Sequence, residues 1–117
     1  MGRDWVYNVD TLATESAVSG EIDTSTDTSP KVILTPSSGK AISTRGVYIF
    51  TDSTSGEISV YYTNSGNIIA KIYCSRYYNV TLPAIRFDGG TDESISISWS
   101  GLSTGSKIFY MISYKEI

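Results

Sequence analysis

Ser94-Ile95-Ser96-Ile97-Ser98-Trp99-Ser100 alternates a small hydroxyl with a large apolar residue without a break. Successive side chains of a β-strand point to opposite faces, so Ile95, Ile97 and Trp99 share one face and the serines the other. A helix would scatter the same residues around its circumference. The stretch reads as a strand half buried against a core. Glu57-Ile58-Ser59-Val60-Tyr61-Tyr62-Thr63 repeats the pattern, with Ile58, Val60 and Tyr62 inward. Lys107 to Lys115 sets Ile108, Tyr110, Ile112 and Tyr114 on one face and Phe109 and Met111 on the other. A strand apolar on both faces is either central in its sheet or meets a partner.

Further strands are expected at Val32 to Thr35, Lys40 to Thr51, Asn67 to Cys74, Asn79 to Leu82 and Ile85 to Phe87. Gly46 interrupts the longest of them, which predicts a bulge or bend where that strand passes between sheets. Turn clusters such as Asn64-Ser65-Gly66-Asn67, a hairpin signal, and Asp88-Gly89-Gly90 recur at regular intervals. Seven or eight short strands make an all-β, two-sheet β-sandwich over residues 30–117, of jelly-roll or immunoglobulin-like topology. Residues 1–29 lack that periodicity and read as an N-terminal extended arm, although a helix over Thr11 to Val18 is an alternative. Trp5 and Tyr7 would anchor the arm on a neighbouring subunit or pack it on its own domain.

Composition narrows the function. The 19 Ser and 13 Thr put a small hydroxyl on 32 of 117 residues, while only 18% are charged. With no histidine there is no Ser-His-Asp or Cys-His nucleophile, and one cysteine makes neither an intrachain disulfide nor a cysteine-based zinc site. An enzyme is not expected, nor a cofactor. A net charge of −3 argues against a phosphate-backbone binder, so no nucleic acid is expected. The longest apolar run, Ile108 to Ile112, has five residues, too short for a membrane span, and the first residues do not form a secretory signal. The expectation is a protein made in a reducing cytoplasm.

Asp88-Gly89-Gly90-Thr91-Asp92-Glu93 gathers three carboxylates, but without the EF-hand spacing it reads as a strand connector and not as a metal site. Cys74 reads as a buried small hydrophobe. Asn79-Val80-Thr81 matches a glycosylation acceptor by chance. Tyrosines give large amphipathic contact area at low entropy cost, so Tyr61, Tyr73, Tyr77 and Tyr78 are interface candidates, with Phe109 and Met111.

The segment Gly39-Lys40-Ala41-Ile42, then Gly46-Val47-Tyr48-Ile49-Phe50-Thr51-Asp52-Ser53-Thr54-Ser55-Gly56-Glu57-Ile58, with Ala70-Lys71-Ile72-Tyr73 after it, resembles small all-β virion proteins of tailed bacteriophages. These are capsid decoration, or head-stabilising, proteins and similar accessory components. The likeness spans Val32 to Tyr114 and is one of pattern. It implies a virion location and a homotrimer bound to the major capsid protein lattice. Two alternatives stay open. One is a carbohydrate-binding or receptor-binding module with Tyr61, Tyr73, Tyr77, Tyr78 or Trp99 as its aromatic platform. The other is a tail or adaptor component.

Overall fold

The computed structural model describes residues 15–76 and 79–117. Their strands are β1 (Ser16–Asp23), β2 (Lys31–Leu34), β3 (Ile42–Thr51), β4 (Glu57–Tyr62), β5 (Ile68–Tyr73), β6 (Asn79–Leu82), β7 (Phe87–Asp88), β8 (Ile95–Ser100) and β9 (Lys107–Glu116). One sheet has the order β1-β9-β3-β6, with β7 also paired to β3, and the other β2-β8-β4-β5. All pairings are antiparallel. The chain is an all-β sandwich, and the opening stretch forms β8 (Ile95–Ser100), flanked on both sides by β2 and β4.

The inward rows are rich in isoleucine. Ile22, Ile49, Ile108 and Ile112 from the first sheet face Ile58, Ile72, Ile95 and Ile97 from the second, all essentially fully buried. Branching at Cβ suits the pleated surface, and each such side chain contributes about 1.5–3 kcal/mol when buried. The alternation read from β4, β8 and β9 places Ile58, Ile95, Ile97, Ile108 and Ile112 correctly.

Four features differ from the sequence reading. First, β1 lies inside the stretch read as an arm, and Ser16 to Val18, at the end of the alternative helix, are extended strand. Its eight residues pair with Tyr114 to Lys107 without a register shift. The strand is hard to see because Gly20 occupies an inward position. A Cβ added there would lie 2.6 Å from the Tyr110 hydroxyl, so β9 supplies the bulk that β1 lacks.

Second, β3 does have its bulge, with the register shifting between Thr44 and Gly46, but it stays in one sheet. The extra residue, Arg45, switches the inward parity from Ile42 and Thr44 to Val47 and Ile49. It also divides the far edge of β3 between β7 on one side and β6 on the other.

Third, the hydroxyl face of β8 is not simply solvent-facing, because Ser96 is buried. Its cross-strand partners Val32 and Tyr61 stand on either side of it and cover it. Ser96 Oγ lies 2.7 Å from Thr63 Oγ1.

Fourth, other hydroxyls act as internal pins. Buried Ser53 Oγ donates to the Ser55 carbonyl at 2.8 Å and accepts the Ser103 N–H at 3.0 Å, tying two turns together. Among the described residues no buried side-chain polar atom lacks a partner.

Candidate interaction surfaces

Trp5, Tyr7, Tyr77 and Tyr78 lie outside the described residues. The other candidates separate onto the two outer faces of the sandwich.

On the first sheet, the strand parity that sends Ile108, Tyr110 and Ile112 inward sends Phe109 and Met111 outward. The same rule, past the β3 bulge, turns Tyr48 and Phe50 outward. Register then aligns Glu21, Phe109, Phe50 and Asn79 in one row across four strands, and Ser19, Met111, Tyr48 and Thr81 in the next. Phe50 and Phe109 are 41% and 38% exposed, high for phenylalanine, and their ring centroids lie 6.3 Å apart. They border an open depression of about 340 Å³ lined also by Glu21, Thr51, Asp52 and Lys107.

On the second sheet, Tyr61 is half-buried, and Val32 and Ile68 are exposed in the row through it. Tyr73 is 51% exposed at the end of β5. The Lys71 ammonium sits 5.2 Å from the Tyr73 ring centroid and 3.6 Å from the Glu57 carboxylate, so that ring already has a cationic cover. Trp99 is half-buried against the core, as its place in the alternation of β8 requires.

Phe50, Val32 and Ile68 were not singled out from sequence. For Phe50 the signal was present, since it shares parity with Tyr48 and opposes Val47 and Ile49. Its partnership with Phe109 depends on register between two distant segments.

The carboxylates of the β7–β8 connection diverge. Asp88 accepts from Ser43 Oγ at 2.5 Å and pairs with Arg86 at 3.1 Å, and these two neighbours hold it below the usual carboxylate range. Asp92 accepts the Gly39 N–H at 2.7 Å. Glu93, only 5% exposed, accepts the N–H groups of Ser65 at 2.5 Å and Gly90 at 2.9 Å. The three have separate partners, and no group of three metal-ligating side chains occurs among the described residues.

Cys74 is fully buried, and burial pushes its thiol up from the ordinary value. A protonated, enclosed thiol is a poor nucleophile. Cys74 is therefore expected to resist a disulfide thiol reagent in the native protein and to react fully once the chain is unfolded. Rapid labelling of the native protein would contradict the packing.

No protein-family model matches the chain, and no curated protein matches it. Among solved structures, a chain of the acidic stable capsid structure of Helicobacter pylori bacteriophage KHP30 is similar, with a TM-score of 0.65. The likeness covers 89% of this chain and 91% of that one at 12% identity. Two sequences this far apart share the fold, the two-sheet sandwich built by the alternating strands above.

Proposed function

We propose that the chain is a structural protein of a bacteriophage virion. In this reading it is a capsid decoration protein that binds the shell as a homotrimer and cements the lattice. The observation that carries the reading is the fold likeness to a chain of a phage capsid structure over nearly the whole of both chains.

Strand order adds support. With β7 set aside, the first strand pairs with the last, and the chain crosses between sheets at every step except the β4–β5 hairpin, an order that favours a jelly roll. That architecture recurs in viral capsid domains. An immunoglobulin-like sandwich orders its strands differently, with its first two strands neighbours in one sheet and its last strand in the other. In this role the protein binds and does no chemistry, in keeping with a chain that has no histidine. Outward aromatic side chains supply contact area, and repetition over a lattice multiplies weak contacts into firm attachment.

Purified protein mixed with expanded shells of its own phage is expected to co-sediment with them. It should also raise the temperature of shell opening, by the equivalent of about 3 kcal/mol per site at a hundred-fold excess over Kd. Light scattering of the free protein should give a trimer mass. A monomer that leaves the shells unbound would overturn the reading.

A further inference from the structure

We infer that the outer face of the first sheet, centred on Phe50 and Phe109, is the surface that docks on the shell, and that it receives a segment carrying an apolar side chain beside Lys or Arg. This rests on the decoration reading and says which face performs it and with what chemistry.

Interface energy concentrates where aromatic side chains sit together at the middle of a patch and are dried by their surroundings. Phe50 and Phe109 offer such a pair for a partner to cover: adjacent strands hold them opposite one another, and both keep over a third of their surface in water. Glu21, Asp52 and Lys107 stand around them along the same depression.

The charge around the rings is one-sided. Glu21, Asp23 and Asp52 bring three carboxylates against the single ammonium of Lys107, which already lies 3.6 Å from Asp23. Asp52 accepts the Lys107 backbone N–H at 2.8 Å. Among the described residues, no Lys or Arg comes within ion-pair distance of Glu21 or Asp52. Covering this face with a neutral or acidic surface would strip water from carboxylates and return nothing. A cationic group beside the apolar side chain restores what the lost water supplied.

The second sheet is the weaker rival. Its most exposed apolar side chains, Val32 and Ile68, stand on opposite edge strands about 14 Å apart, with Ser96 and Tyr61 between them. Tyr73 is exposed at the end of β5 with the Lys71 ammonium over its ring, and Glu57 balances that charge. That face offers no uncompensated charge of one sign.

The test measures shell binding of four proteins at low and high salt, after circular dichroism and unfolding midpoints establish that each is folded. Phe50→Ser combined with Phe109→Ser should weaken binding at least about thirty-fold. Glu21→Lys should weaken it about ten-fold at low salt and much less at high salt, where charge is screened. Ile68→Ser combined with Tyr73→Ser should leave it unchanged. The inference is overturned if wild type binds and the phenylalanine pair proves dispensable, if the loss falls on Ile68 and Tyr73, or if Glu21→Lys tightens binding. A wild type that binds no shell sinks the decoration reading, and this inference falls with it.

Discussion

Tyr62→Ala is expected to lower the unfolding free energy by about 4 kcal/mol, the cost of emptying a large aromatic site in a packed core. Tyr62 is the largest fully buried side chain among the described residues, and it carries more than apolar area. Its ring lies 5.5 Å from the Phe87 ring. Its hydroxyl lies 2.9 Å from Thr44 Oγ1, 2.8 Å from the Ile42 carbonyl and 2.5 Å from the Phe87 carbonyl. A strand of the second sheet is thereby bolted to β3 and β7 of the first.

Tyr62→Phe keeps the ring and removes only the bolt, taking the hydroxyl from Thr44 and the Phe87 carbonyl, while the Ile42 carbonyl still accepts the Gly89 N–H at 2.9 Å. It should cost about 1–3 kcal/mol. Gly89 closes the site from the other side, where an added Cβ would stand 2.3 Å from Tyr62 Cε1. Gly89→Ala should therefore destabilise strongly by itself and lose most of that effect in a Tyr62→Ala background, because the two share one space. Urea unfolding of the four proteins in that cycle measures it, and strictly additive costs would refute the shared site. Burial also pushes the Tyr62 hydroxyl above its ordinary value of 10.0. The folded state thus holds that proton more tightly than the unfolded chain. The resulting stability is complete below the ordinary tyrosine range and is lost as pH rises through the folded value.

Glu93→Ala is expected to cost about 3 kcal/mol, since it takes a charged acceptor from two backbone N–H groups in a nearly enclosed site. Burial pushes the Glu93 carboxyl up, but the N–H groups of Ser65 and Gly90 pull harder, and the net position is below the ordinary 4.5. The sign follows from proton linkage. A depressed folded value means the unfolded chain binds the proton first, so the stabilisation is present above the usual glutamate range. It fades as pH falls through the folded value. Wild type should lose stability on acidification more steeply than Glu93→Gln, which has no charge to lose at that position. The check is a series of urea midpoints from neutral to acid pH. Parallel curves for the two proteins would show that Glu93 does not govern the acid limb. The clamp joins the β4–β5 turn to the β7–β8 connection. Its release should therefore appear first as faster amide exchange at Ser65 and Gly90.

Both predictions concern residues whose importance sequence patterns disclose only in part. Tyr62 is legible as inward because β4 alternates, yet its three hydroxyl partners come from segments 18 to 25 residues away. Glu93 looks like one of three acids in a loop. Only folding brings Ser65, 28 residues earlier, within reach of it. Phe109 stands out because its strand is apolar on both faces, but its pairing with Phe50 spans 59 residues.

What the amino-acid order determined by itself is the set of strands with clean alternation, the face each presents inward, the turn at Asn64 to Gly66 and the absence of histidine-based chemistry. These follow from nearest-neighbour geometry, which a period of two writes directly into the chain. Tertiary structure alone decided the strand order, the recruitment of β1 around a glycine filled by Tyr110, the burial of Ser96, and the coming together of two phenylalanines beside Glu21, Asp52 and Lys107. Those outcomes depend on register between segments far apart in sequence. Register is settled by which side chains fill the same space, and no local pattern records it.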